Sequence, residues 1–300
     1  MKESSFKKIT IEDQQAIEFY LHKYSTFCLS AFTFSSLVAW ESIFHYQWAV
    51  MEDTLLIKFV PLEKKQEHFM QPLGEFPPNL QQQIIHHAQS LGYALTIFGI
   101  SNAFLAKYSE FASHFVQAEH RDMDNYIYLA EDLALLPGKK YQAKRNLLHQ
   151  FEKNHTWTSE NISVENIPAC LEVINTIYSQ QELDSNSFLA FELRALTFIL
   201  THFPRFQEMG ILIRINAKPA AFSIFEHLNS STAVVHFEKA IRQYKGLYQL
   251  VNRETAKIIL KKGYKYINRE EDLGIEGLRK TKLSYHPLEL CPAHALVFKR

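Results

Sequence analysis

Apolar positions in this chain follow two rhythms, and the order in which the rhythms change predicts the elements. Residues 48–60 (WAVMEDTLLIKFV) hold two apolar runs parted by Glu52-Asp53, which predicts a hairpin. Before it, Thr10 three residues ahead of Asp13 opens a helix through Ile17, Phe19, Tyr20 and Leu21. After it, Pro61, Pro72, Gly74, Pro77 and Pro78 mark a long loop. Ile84, Ile85, Ala88 and Leu91 then recur at helical spacing, with Gly92 placed as a left-handed stop, and residues 93–100 (YALTIFGI) predict a strand.

The second half repeats the grammar. Ile167, Cys170, Leu171, Ile174, Ile177 and Tyr178 form one face of a helix with Pro168 in its first turn, and 187–203 predicts another. Runs at 210–215, 220–228 and 233–238, separated by polar turns, predict an antiparallel meander. A glycine loop at 239–246 follows, then a helix through Leu247, Leu250, Val251, Ile258 and Ile259 that stops at Gly263, then a strand at 264–268. Strands grouped into a meander rather than alternating with helices predict an α+β fold. Both halves contain a helix, Gly-Tyr and a strand (Gly92-Tyr93 and Gly263-Tyr264), which suggests an internal duplication. The expected domains are 1–136 and 156–300, joined by a basic junction at 137–155.

Composition narrows the class. With 47% hydrophobic and 21% charged residues the chain can bury a substantial core, and 300 residues suit two domains. The 32 basic and 32 acidic side chains cancel, which argues against a protein devoted to gripping nucleic acid, though not against a local basic groove. Cys28, Cys170 and Cys291 fit neither a disulfide framework nor a zinc spacing, so a cytoplasmic location is expected. The longest charge-free run, 24–40, is too rich in Ser and Thr to be a membrane anchor, and the N-terminus has no apolar signal core. There is no G-x-S-x-G, H-E-x-x-H or C-x-x-C motif, and Gly138-Lys139 lacks the rest of a phosphate loop. His86 and His87 point to different helix faces, so no metal site is expected.

Three segments could carry chemistry. The strand-to-helix junction at 236–248 is an anion site by backbone geometry, or else a solvated turn. Gly246 there is expected to sit on an exposed loop and let an anionic donor approach the backbone, so that Gly246→Val would weaken donor binding with little loss of stability. Glu270, Glu271 and Asp272 are adjacent carboxylates that repel one another unless a cation or proton is near. They form either a proton-accepting or ammonium-binding site, or a turn salt-bridged by Arg269, Arg279 and Lys280. Glu238 and Tyr285 are further candidates for proton transfer. Lys139, Lys140, Lys144 and Arg145 would contact donor or tRNA phosphates, or else form a solvated hinge.

A resemblance sharpens this reading. Gln243-Tyr244-Lys245-Gly246-Leu247-Tyr248 is similar to the Q/R-x-x-G-x-G/A donor loop of the GNAT acyltransferase superfamily, with Tyr248 where that loop has a small residue. Residues 124–133 (DNYIYLAEDL), the pieces Gly138-Lys139-Lys140-Tyr141 and Lys144-Arg145-Asn146, and 266–280 (YINREEDLGIEGLRK) resemble signatures of the bacterial, soluble relatives of the phosphatidylglycerol lysyltransferase C-terminal domain. The resemblance implies two tandem GNAT-like domains with mixed, mainly antiparallel sheets, the N-terminal one degenerate as a donor site. Arg242, Gln243, Lys245, Gly246, Tyr248 and Asn252 would bind the donor.

Membrane members of that family move an aminoacyl group from a charged tRNA to a lipid headgroup. Aminoacyl-tRNA is therefore the first expectation for the donor and an acyl-coenzyme A the second, with an amine or hydroxyl on a small molecule or headgroup as acceptor. No tightly bound cofactor is expected, and peripheral membrane contact stays open. The non-enzymatic alternative is a binding module that kept the fold and lost catalysis.

Overall fold

The computed structural model describes residues 5–24, 28–61, 65–179, 188–206 and 208–300. Its strands in chain order are β1 (Lys7–Lys8), β2 (Gln47–Met51), β3 (Thr54–Phe59), β4 (His68–Met70), β5 (Thr96–Ile100), β6 (Phe115–Glu119), β7 (Asn125–Leu129), β8 (Trp157–Asn161), β9 (Met209–Ile215), β10 (Lys218–Asn229), β11 (Thr232–Ala240), β12 (Tyr266–Asn268), β13 (Glu289–Cys291) and β14 (His294–Phe298). The helices used below are α1 (Gln14–Tyr24), α2 (Pro78–Ser90), α3 (Ala130–Leu135), α4 (Gln142–Asn154), α5 (Ile167–Tyr178), α6 (Phe188–His202), α7 (Leu247–Lys261) and α8 (Glu276–Leu283).

Most predicted elements form where the periodicity put them. The β2–β3 hairpin turns on Glu52 and Asp53, both left-handed (φ 49° and 56°), the geometry that two-residue hairpin loops require. Asn216 and Ala217 do the same between β9 and β10. Thr10 donates its backbone N–H to the Asp13 carboxylate (2.9 Å) in the turn ahead of α1. The helix predicted over 187–203 is α6, and Ser187 lies outside the described residues.

Two local expectations fail. Gly92 is not left-handed: α2 ends at Ser90 and passes into extended Leu91, whereas Gly263 (φ 92°) does stop α7 as predicted. The proline-marked loop also contains β4, whose Phe69 and Met70 pair in parallel with Ile97 and Phe98. Three residues are too few to show an alternating pattern.

The strands make two seven-stranded sheets, β1-β2-β3-β4-β5-β14-β6 and β8-β9-β10-β11-β12-β7-β13. Position by position the two orders correspond. In each, the first four strands succeed one another antiparallel, and the fourth and fifth run parallel. A helix links that parallel pair, α2 in one sheet and α7 in the other, as a parallel connection demands. The sixth strand of each sheet comes from the other half of the chain: β7 enters the second sheet beside β12, and β14 returns to the first beside β5 and β6.

That exchange corrects the expected domain limits. One unit is Met1–Asn125 with Cys291–Arg300, and the other is Tyr126–Leu290. Residues 137–155 are no junction; α4 lies inside the second unit, where Leu148 and Phe151 are buried against the core that includes Leu247 and Val251 of α7. Tyr126, Tyr128 and Tyr141 are fully buried there, and each ties its hydroxyl down, Tyr126 to the Asp272 carboxylate (2.6 Å), Tyr128 to the Lys282 carbonyl (2.8 Å) and Tyr141 to the Tyr285 carbonyl (2.8 Å). Buried phenols need such partners, and these three fasten the segment that carries the candidate site. Among the described residues no helix is long and apolar enough to cross a membrane.

Candidate functional site

The site begins where β11 and β12 part. Their parallel ladder ends at the Val234–Asn268 pair, while β11 continues to Ala240. β11 also bulges against β10: Phe225 pairs with Val235 and Ile224 with Phe237, which leaves His236 as the extra residue. Bulges bend a strand and redirect a side chain. His236, almost wholly buried, is held between Glu226 of β10 through Nε2 (2.7 Å) and Glu270 through Nδ1 (2.7 Å). Burial opposes its charge, but those two carboxylates outweigh burial and raise its pKa well above the ordinary histidine value.

A second rung crosses the gap one pair further on. Arg269 donates from Nη2 to Glu238 (3.0 Å), and Asn252 of α7 donates to the other Glu238 oxygen (3.3 Å). Arg269 Nη1 and Asn252 Oδ1 are buried with no hydrogen-bond partner among the described residues. A donor and an acceptor therefore flank one carboxylate with hydrogen-bonding capacity left over. The Tyr285 ring lies against the Arg269 guanidinium (5.1 Å), and burial pushes its phenol pKa up.

The three adjacent carboxylates separate into three environments. Glu270 (φ 58°) and Leu273 (φ 54°) are both left-handed without being glycine, a conformation worth roughly 1–2 kcal/mol of strain each. Asp272 holds the loop against that strain: it is fully buried and accepts from Arg279 Nε (2.9 Å), Arg279 Nη2 (2.8 Å), Tyr126 and the Gly274 N–H (3.0 Å). Although burial works the other way, these donors keep its carboxyl well below the usual carboxylate range. Glu270 belongs to His236. Glu271 makes no hydrogen bond or ion pair with another residue among the described ones; burial and the neighbouring Glu270 push its carboxyl up to about 7. Lys282 of α8, pushed down to about 8 by burial and the Arg269 charge, faces it and donates to the Arg269 carbonyl. Of the expected salt-bridge partners, Arg279 serves Asp272, Arg269 serves Glu238, and Lys280 is exposed.

The donor loop differs from expectation. Gly246 (φ 96°) is buried rather than exposed, and a Cβ there would meet the Leu147 carbonyl oxygen at 2.6 Å and Phe151 Cβ at 2.9 Å. Its lack of a side chain serves the contact between α7 and α4. Gly246→Val should therefore destabilise the protein by about 2–4 kcal/mol, from a left-handed backbone and overpacking together, and chemical denaturation measures this directly. Arg242, Gln243, Lys245 and Tyr248 are exposed around it.

Of the basic cluster, Lys139 is exposed and Lys140 pairs with Asp132 (2.8 Å). Arg145 donates to the Leu136 and Gly138 carbonyls, and Lys144 donates to Ser284 Oγ (2.7 Å) with its ammonium 4.0 Å from the centre of the Tyr285 ring. Three of these four cations thus have partners within the unit.

Residues 27–294 match the phosphatidylglycerol lysyltransferase C-terminal family. The chain belongs to that family. It is 33% identical to a conserved protein of unknown function from Bacteroides thetaiotaomicron, over 98% of this chain and 99% of that one, with a TM-score of 0.88. The C-terminal domain of a putative lysylphosphatidylglycerol synthetase from Agrobacterium fabrum (14% identity, 95% and 91% covered) and L-PGS from Bacillus licheniformis (15%, 96% and 92%) each superpose with a TM-score of 0.65. No curated protein matches the chain. Each unit carries one of two mixed, mainly antiparallel sheets, the α+β class that the resemblance implied.

Within this family member the first unit fills the corresponding gap differently. Beyond the β4–β5 pairs, Gln71 accepts from the Ser101 N–H (2.8 Å) and hydroxyl (2.9 Å). The buried group beyond β4 and β5 is thus a neutral amide, whereas beyond the β11–β12 ladder lie the charged Glu238 and Arg269. His87 is engaged by Glu67 (2.5 Å), which Lys58 also pairs (3.1 Å). The sequence pointed to Glu238, Asn252, Tyr285 and the acidic triplet, and the structure gathers them at one end of β11 and β12. It missed His236, Glu226 and Lys282 as site residues, because each acquires meaning only from a partner distant in sequence.

Proposed function

We propose that this chain transfers an aminoacyl group from aminoacyl-tRNA to an amine or hydroxyl acceptor, using the second unit. The observation that carries the reading is the largely buried Glu238 side chain between Arg269 and Asn252, with Arg269 Nη1 and Asn252 Oδ1 unsatisfied among the described residues. An aminoacyl ester offers a carbonyl oxygen for the guanidinium and an ammonium for the carboxylate and amide oxygen. A plain acyl thioester offers only the first and leaves the carboxylate and amide oxygen with no cationic group of the donor to meet.

The acceptor nitrogen or oxygen bonds to the ester carbonyl carbon while its proton passes to Glu271. The ester C–O bond then breaks, and the leaving ribose oxygen takes that proton from Glu271. A carboxyl near 7 suits both transfers at neutral pH. Arg269 would stabilise the oxyanion. The first unit, with its neutral Gln71–Ser101 closure, is assigned no donor. Two features weigh against an acyl-coenzyme A: Gly246 is committed to helix packing, and Tyr248 stands where a pyrophosphate would need a small residue.

Binding tests the choice of donor. Charged tRNA should bind more tightly than the same tRNA uncharged, with affinity that falls steeply as salt rises. Acetyl-coenzyme A should not compete. Competition by acetyl-coenzyme A, or equal affinity for charged and uncharged tRNA, would reverse the assignment.

A further inference from the structure

His236 has a place that the transfer chemistry above does not use. It is the extra residue of the β11 bulge, and its ring spans from β10 on one side to the loop at 269–275 on the other. Both ring nitrogens sit 2.7 Å from a carboxylate oxygen. A neutral imidazole has one N–H, so it could serve only one of these carboxylates and would turn a lone pair toward the other. An imidazolium satisfies both. With both nitrogens engaged and the ring buried, it can neither take a proton from an acceptor nor reach a donor.

We propose that His236, backed by Glu226, is a positioning residue: as a permanent imidazolium it pins Glu270, holds the loop in its left-handed course, and thereby sets where and at what pH Glu271 works. The inference rests on the reading of Glu271 as the proton acceptor.

The strain in the loop supports this. Glu270 is left-handed, and besides its side-chain bond to His236 it is held by backbone bonds, its carbonyl accepting from the Tyr126 N–H (3.1 Å) and its N–H donating to Asn268 Oδ1 (2.6 Å). Strained backbone persists only where several contacts determine it. Charge supports it as well. The groups around the ring are Glu226 from β10 and Glu270 and Glu271 from the loop, with Lys282 of α8 facing Glu271. Without the imidazolium, two carboxylates would lie near Glu271 with Lys282 as the counter-charge, and the Glu271 proton would be held more tightly. The sign follows: loss of the cation moves the pH at which Glu271 becomes competent upward.

The test uses the full chain and His236→Gln, which keeps a polar group and loses the charge. In ¹⁵N spectra of the wild type, the imidazole signals that vanish in His236→Gln should be those of a doubly protonated ring well beyond the pH at which an ordinary histidine titrates; a neutral tautomer at pH 7 overturns the proposal. Hydrogen exchange of the amides at 270–274 should quicken at least about tenfold in the variant while β9 and β10 amides stay unchanged, and equal exchange overturns it too. The acid limb of kcat/KM should move to higher pH with KM little changed, whereas a uniform loss at every pH would mean a structural role only. Should His236→Gln fail to fold, Glu226→Gln keeps the ring bonded to Glu270 and should move its titration to lower pH; an unchanged titration would overturn the proposal that Glu226 backs the imidazolium. The first two measurements need no substrate, so a chain that transfers nothing would sink the proposed function while they still decide the clamp.

Discussion

Glu271→Gln is expected to lower the rate of aminoacyl transfer by about 100-fold or more, the range for losing a general base, without lowering the melting temperature. Glutamine keeps the shape, and among the described residues Glu271 makes no hydrogen bond or close ion pair with another residue, while burial and Glu270 outweigh the attraction of Lys282 and His236 for its charge. The raised carboxyl works against the fold: the native state holds a proton on Glu271 up to about pH 7 that the unfolded chain releases near 4.3. Stability therefore falls as pH rises through that window, and removing the charge should leave the protein equally stable or slightly more so above pH 7. Wild-type activity should rise with pH through about 7, following the unprotonated carboxylate. A variant that keeps full turnover would move the proton acceptor to Glu238 or to a bound water.

Asp272→Asn should show the opposite division, with a large effect on stability. Asp272 is fully buried and its charge is matched by Arg279. Removing one partner of a buried pair costs roughly 3–5 kcal/mol, and the partial exposure of Arg279 places the expectation near the lower end. Its pKa is depressed, so the stability it supplies is fully present above about pH 4 and is lost as pH falls toward the native value. Urea denaturation at pH 7 should show the deficit, and the gap between wild type and variant should narrow in acid. Activity should track the folded fraction. If turnover collapsed with stability intact, Asp272 would join the reacting groups.

The contrast between neighbouring carboxylates marks what the sequence could and could not convey. Elements whose evidence is local were legible: the meander, α7 with its Gly263 stop, the two-residue turns, and the repeat of helix, Gly-Tyr and strand. The exchange of β7 and β14 was not, because periodicity shows that a segment is a strand but not which sheet will accept it. Gly246 looked like a ligand-facing glycine until α4 was seen to lie against it. Three adjacent acidic residues announced that cations must be near, yet which residue met which cation depended on Arg279 seven positions on, and on His236 from a bulge that no alternation pattern reveals.

The central claim is that the end of β11 and β12 in the second unit receives an aminoacyl ester and passes its acyl group on. The most direct measurement is single-turnover transfer from tRNA charged with a radiolabelled amino acid, with phosphatidylglycerol vesicles and soluble amines offered as acceptors. Label should leave the tRNA and appear in an acceptor with the wild-type protein, slow about 100-fold or more with Glu271→Gln, and fail to move when the donor's α-amine is acetylated. Label that stays on the tRNA with every acceptor, or that moves equally well from the acetylated donor, would contradict the account.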